Sequence, residues 1–303
     1  MNETIGMFWV FVFSSFLVIA NVNGVYGRDS RIVGGVDATL GRWPWQGSIR
    51  FISTGTNFCG CSVISNRWLI SAAHCTEGIR SASSIEVRLG VTNLLAGEAT
   101  DVTYRLTSFH DHPDYVSSTF LNDITLLQTS LPITFNANVR AVALPSPGMI
   151  AIVGSPCWIT GWGTTADSSS VSPNILQQAV VPIVNDSQCV AWYRQEGIMV
   201  FTNEQFCAGY EAGNIDSCQG DSGGPLTCND TGIFVLQGIT SYGVGCALSR
   251  RPGVYTRVSN YLTWINETIV LYSNSVGQKC TSSLRAILFS SFFFLILHKL
   301  TTF

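Results

Sequence analysis

A serine hydroxyl is a poor nucleophile at neutral pH until a base takes its proton and a carboxylate fixes that base. Three contexts in this sequence supply such a set. Ser222 lies in Gly220-Asp221-Ser222-Gly223-Gly224-Pro225, where glycines let a substrate approach the backbone and meet amide N–H groups. His74 lies in Ser71-Ala72-Ala73-His74-Cys75, beside a cysteine that a disulfide could anchor. Asp123 lies in Asn122-Asp123-Ile124-Thr125-Leu126-Leu127, a strand-like run in which an acid would be held away from water. Together they point to acyl transfer through a nucleophilic serine.

Such a set needs a rigid scaffold. Ten cysteines imply a disulfide framework in an oxidising compartment. The sequons at Asn185, Asn229 and Asn266 suit the same compartment as glycosylation sites. Met7 to Ala20 is almost wholly apolar and is followed by small and polar residues through Gly24 and Gly27, which reads as a signal peptide over 1–24, although Glu3 stands where a basic residue is usual. Its ~14 apolar residues fall short of the ~20 that span a bilayer. The net charge is −3, with no basic run, so nothing suggests a nucleic-acid partner.

Between the ends, short apolar or alternating runs such as Arg67–Ser71, Ile85–Leu89 and Gly232–Leu236 are broken by Gly, Pro, Asn and Ser, the pattern of an all-β barrel or sandwich. Ser168-Ser169-Ser170 reads as a surface loop. Ser259 is the expected N-cap of a closing helix whose buried face carries Tyr261, Leu262, Ile265 and Ile269. Past it, small polar residues from Ser273 to Gly277 precede the apolar block Ala286–Leu297. That layout over 271–303 fits a glycosylphosphatidylinositol attachment signal with Ser275 as the attachment residue; a short membrane stub and free secretion stay open.

With these contexts in the order His74, Asp123, Ser222, the chain resembles the trypsin/chymotrypsin family of serine proteases from about Ile32 to Ile269, with the layout of its prostasin- and testisin-like membrane-anchored members. The resemblance implies an all-β fold of two antiparallel six-stranded barrels with a C-terminal α-helix, spanning 32–270, and a catalytic cleft between the barrels. It implies that Ser222 attacks the scissile carbonyl, His74 moves the proton and Asp123 orients His74, while the N–H groups of Gly220 and Ser222 form the oxyanion hole. By the same resemblance, 25–31 is a short pro-peptide. Cleavage after Arg31 frees the Ile32 ammonium to pair with Asp221, which makes the chain a zymogen. Asp216 then sits at the base of the substrate pocket and selects Arg or Lys, Ser217 assists with Lys, Gly243 and Gly253 clear the walls, and Ser241 and Tyr242 flank the entrance. The expected partners are polypeptides with a basic residue at the cleaved bond and protein protease inhibitors.

Cysteine contexts matched to the family give four bridges, Cys59–Cys75, Cys157–Cys228, Cys189–Cys207 and Cys218–Cys246. Cys61 and Cys280 remain, and with an anchor at Ser275 the first is a free or intermolecular thiol. Tyr242 replaces a tryptophan common in the family. Val91 stands at the first position of the family's calcium loop, so no metal is expected there, and His110 and His112 read as a structural loop rather than ligands. No cofactor is implied. A non-catalytic, protease-shaped binding protein is the competing reading, and a serine esterase a third; the complete catalytic set speaks against the first, and the pocket acid and activation junction against the second.

Overall fold

The computed structural model describes residues 32–164, 172–229 and 232–273. The signal and pro-peptide with Arg31, the serine cluster Ser168–Ser170, Ser275, Cys280 and the apolar tail lie outside the described residues. Strands are numbered in chain order. After the two-residue β1 (Val36–Asp37), the strands β2 (Gln46–Phe51), β3 (Asn57–Val63), β4 (Trp68–Ser71), β5 (Ile85–Leu89), β6 (Val102–Asp111) and β7 (Thr125–Thr129) close a six-stranded antiparallel barrel in the order β2-β3-β4-β7-β6-β5. Inward residues such as Ile49, Leu69, Val87 and Leu126 are fully buried and form its core with Trp43, Trp45 and Trp68.

The second half contributes β8 (Pro156–Gly161), β9 (Gln177–Pro182), β10 (Gln205–Ala208), β11 (Pro225–Cys228), β12 (Val235–Tyr242) and β13 (Gly253–Arg257). With β1 at its edge, this sheet runs β1-β9-β8-β11-β12-β13-β10. The Ile183–Ala208 bridge, with Val184 N–H donating to Cys207 O at 2.9 Å and Gly209 N–H to Pro182 O at 2.9 Å, joins β10 to the chain leaving β9. Six strands therefore curl into the second barrel, and β1 extends it. Among the described residues four disulfides form, Cys59–Cys75, Cys157–Cys228, Cys189–Cys207 and Cys218–Cys246.

Among the described residues two α-helices complete the fold. α1 (Asp186–Gln195) starts where the Asn185 side chain accepts from Ser187 N–H at 2.9 Å, a local capping signal. α2 covers 262–273 within the described residues. Its entry corrects the sequence expectation: Ser259 is no N-cap but lies inside a 3₁₀ turn, Val258–Tyr261, that runs directly out of β13. The face expected for it holds, with Tyr261 and Ile265 buried and Leu262 and Ile269 partly buried against the first-barrel core. A chain that begins in the second barrel's last strand thus ends packed on the first. No helix among the described residues is long and apolar enough to cross a membrane.

Candidate active site

His74 is carried by the 3₁₀ turn Ala73–Cys75 that follows β4, and the Cys59–Cys75 bridge ties that turn to β3. Asp123 lies two residues before β7 rather than within it, yet it is completely buried. Its carboxylate is satisfied from both barrels. From the first, Oδ1 accepts from His74 N–H at 2.9 Å and Oδ2 faces His74 Nδ1 at 2.8 Å. From the second, Ser241 Oγ donates to Oδ2 at 2.5 Å and Thr256 Oγ1 donates to the Asp123 carbonyl at 2.8 Å. A carboxylate at Nδ1 places the ring proton there and leaves Nε2 as a lone-pair acceptor, the form a general base needs. Ser241, read from the sequence as a substrate contact, is thus also a donor to Asp123.

Ser222 sits on a glycine turn pressed against the first barrel. Gly60 N–H donates to Ser222 O at 2.8 Å, and a side chain at Gly223 would lie 2.1 Å from Ser71 Oγ and 3.1 Å from Cys75 Sγ. Only glycine lets the turn approach the His74 segment this closely. The Ser222 hydroxyl is not hydrogen-bonded to His74, whose Nε2 meets Cys75 Sγ at 3.8 Å; such contacts commonly tighten only with substrate bound. The amides of Gly220 and Ser222 donate to no acceptor among the described residues, and Gly220 has a φ of 96°. Asp221 braces the turn from beneath: its carboxylate accepts from Gly163 N–H and Cys218 N–H, each at 2.8 Å. Burial pushes its pKa up to about 6 against the pull of those two donors.

Beside Ser222 opens a cavity of about 210 Å³ lined by Asp216, Ser217, Ser241, Tyr242, Gly243 and Gly253, with the Cys218–Cys246 bridge in its wall. Asp216 is 2% exposed. Its Oδ2 accepts from Ala247 N–H at 3.2 Å, whereas Oδ1 has no partner at hydrogen-bonding geometry. Burial raises its pKa to about 7, partly offset by the neighbouring backbone N–H groups of Ala247, Ser217 and Gly253. A half-satisfied buried carboxylate facing a cavity is poised for a cation. Ser217 Oγ lies 3.2 Å from Tyr255 Oη, and a side chain at Gly253 would stand 2.9 Å from both Asp216 Oδ1 and Tyr255 Oη.

Ile32 is fully buried among Ile159, Val181, Leu226 and Tyr255. Just after it, Val33 O accepts from Asp216 N–H at 3.3 Å, so the segment following Arg31 pairs with the backbone of the pocket acid. Three features at the site escaped the sequence reading. Phe120 packs edge-on to His74 with ring centres 5.7 Å apart, Tyr255 lies beneath the pocket, and Gln205 spans the two barrels. Phe120 had a signal in its position three residues before Asp123; Gln205 had none, because a lone strand glutamine does not reveal where its amide reaches.

The remaining residues singled out in the sequence take the following places in the fold. Cys61 is a free, fully buried core thiol whose Sγ fills the space left by Gly47, where a side chain would lie 2.6 Å away. Its complete burial leaves no surface at which another molecule's thiol could reach it, which speaks against the intermolecular bridge, and the same burial pushes its pKa far up. His110 lies on β6, not in a loop, and its ring stacks on Tyr272 of α2 at 3.6 Å, while His112 packs on Tyr261 and Trp264. In the loop after Gly90, Val91 is buried, Arg88 pairs with Asp101 and donates to Leu94 O at 2.9 Å, and Glu98 accepts from Thr92 N–H at 2.5 Å. Asn185, Asn229 and Asn266 are all exposed.

Comparison with known proteins agrees with this geometry. The trypsin family model matches residues 32–265. Trypsin of Xenopus laevis is 41% identical over 257 residues, covering 85% of this chain and 98% of the frog protein. Trypsin I-P1 of Gallus gallus is 42% identical over 241 residues, 80% of this chain and 90% of the chicken protein. Transmembrane protease serine 9 of Rattus norvegicus is 38% identical over 261 residues, which are 86% of this chain but only 24% of the rat protein. With two barrels meeting at a half-buried His74 on a buried Asp123 and a glycine-set serine, this chain belongs to the trypsin family and is a serine endopeptidase.

Proposed function

We propose that the enzyme is made as a zymogen and, once cut after Arg31, hydrolyses peptide bonds that follow Arg or Lys through an acyl-enzyme at Ser222. The observation that carries this reading is the buried Asp216 carboxylate, with one oxygen unpartnered, at the floor of a cavity beside Ser222. A Lys or Arg side chain supplies the missing cation, and Ser217 is placed to accept from a Lys ammonium. With the basic side chain in the cavity, His74 takes the Ser222 proton as Oγ attacks the carbonyl carbon, and the imidazolium is stabilised by Asp123. The unpartnered N–H groups of Gly220 and Ser222 receive the oxyanion, each worth about 3–4 kcal/mol in such sites. His74 then protonates the leaving amine, and water repeats the cycle on the ester.

The activation step rests on Asp221 and Ile32. Among the described residues Asp221 has no cationic partner, only two backbone donors, and its buried carboxylate is costly until a charge joins it. The ammonium freed at Ile32 is that charge, and the pairing fixes the loop that carries Gly220. The exposed sequon asparagines support glycosylation. The polar-then-apolar tail supports a secretory product tethered by a lipid anchor at the outer face of the plasma membrane, with protein inhibitors as further partners. The test is N-terminal sequencing of the active form alongside a positional peptide library. A new terminus at Ile32 with Arg/Lys before the cut bond is expected; an active form beginning elsewhere, or one indifferent to basic residues, refutes the reading.

A further inference from the structure

Gln205, on β10 of the second barrel, is 1% exposed, and its amide is fully used. Nε2 donates to Phe120 O at 3.0 Å and to Thr119 O at 3.5 Å, both on the first-barrel segment that leads to Asp123. Oε1 accepts from Phe201 N–H at 3.1 Å and from Tyr242 Oη at 3.3 Å. Two carbonyls on one side and two donors on the other fix which way the amide faces. The segment it holds is under backbone strain: Phe120 and Asn122 are non-glycine residues with φ of 51° and 56°. The left-handed conformation costs such residues roughly 1–2 kcal/mol, so it persists where surrounding contacts impose it.

What the conformation delivers is an aromatic wall. The Phe120 ring stacks on Tyr242, with centres 5.3 Å apart and 25° between planes, and stands perpendicular to His74 at 5.7 Å. Tyr242 lines the substrate cavity, so this corner lies where a substrate chain leaves the cavity past the base. All three rings are partly exposed, and among the described residues no Lys or Arg stacks on Phe120 or Tyr242. An apolar, flat side chain covers these rings well, whereas a carboxylate there loses its water without gaining a partner.

We infer that Gln205 is a positioning residue: by holding the Thr119 and Phe120 carbonyls and the Tyr242 hydroxyl together, it sets the Phe120–Tyr242 wall and thereby the enzyme's preference for an apolar residue immediately before the basic one. The inference rests on the proposed cleavage after Arg or Lys. It is tested with the activated enzyme and two peptides alike except before arginine, proline in one and aspartate in the other.

The wild type favours the proline peptide in kcat/KM by about tenfold or more, the scale of a poorly compensated polar burial. Gln205→Leu, which keeps the volume but none of the hydrogen bonds, reduces that ratio about fivefold, carried by KM, while end-point titration by a serine-reactive phosphonate stays complete. Tyr242→Phe removes only one donor to Gln205 and lowers the ratio by about twofold, which keeps the test alive should the leucine variant fail to fold. Phe120→Ala removes the wall itself, and adding Gln205→Leu to it lowers the ratio no further. A ratio unmoved in Gln205→Leu, or lowered equally with and without Phe120, overturns the positioning role alone. A wild type that cleaves neither peptide overturns the basic specificity and this inference together, at the first step.

Discussion

The state of Asp216 can be read by titration, with a small arylamidinium competitor that fills the cavity without reaching His74. Burial holds the carboxyl at about pH 7, so the empty pocket is mostly ionised at pH 8 and protonated below. The sign follows directly: the cation binds the ionised form, so a proton must leave before it binds at low pH. At pH 5, two units below that value, about 1% of the pocket is ionised, and the inhibition constant should weaken about 100-fold relative to pH 8, or ~2.7 kcal/mol. Asp221 also carries a raised pKa, near 6, so a control is needed. The same aromatic ring without the amidinium reports any change in pocket shape, which would move both competitors, whereas Asp216 ionisation moves only the charged one. Asp216→Asn should bind the amidinium weakly and equally at both pH values. A wild-type constant that shifts by less than about threefold from pH 8 to pH 5 would refute the assignment of a protonated, half-satisfied acid. Linkage gives a second signature: with its folded pKa raised, Asp216 favours the native state below the ordinary value of 3.8 and loses that contribution as pH climbs to about 7.

Further outcomes follow from the same geometry. Gly253→Ala would put a methyl group 2.9 Å from both Asp216 Oδ1 and Tyr255 Oη, so kcat/KM for an arginine peptide should fall about 100-fold, while phosphonate titration of Ser222 remains. Arg88→Ala strips Asp101 and the Leu94 carbonyl of a buried cation and should cost about 3 kcal/mol, a drop of roughly 6–10 °C in Tm by calorimetry. A calcium chelator should leave the wild-type Tm within about 1 °C, because protein groups already close that loop. Cys61 should resist iodoacetamide in the native protein and react only on unfolding, and Cys61→Ser should destabilise by about 1–3 kcal/mol through an unpaired buried hydroxyl.

Much of the site was legible because its constraints are local. Gly223 and Gly253 are glycines for steric reasons that act within a few ångströms, and the contexts of His74, Asp123 and Ser222 travel with them. Strands such as Ile85–Leu89 match their runs because a short apolar stretch between turn residues has few other uses. The run Gly232–Leu236 was less faithful: its strand begins at Val235 and continues to Tyr242, because pairing with β11 and β13, not local propensity, sets its ends. Ser259 misled for a similar reason. It has the chemistry of an N-cap, but β13 feeds straight into a 3₁₀ turn, and the packing of Tyr261 on the first barrel decides where the helix begins. The links from Ser241 and Thr256 to Asp123, and from Gln205 to Phe120, could not be read at all. Each joins residues more than 80 positions apart, and a single polar side chain says nothing about its distant partner.

Asp123 is fastened by one barrel at His74 and by the other at Ser241 and Thr256, while Gly60 of the first holds the Ser222 carbonyl of the second. The cutting edge is therefore the seam of the molecule. A nascent chain that has folded only its leading half carries His74 and Asp123 but cannot yet cut anything, which shields the compartment in which it is made. Catalysis therefore depends on a junction that neither barrel owns: a perturbation that parts the two barrels would end catalysis even with the sheet pairing inside each barrel intact.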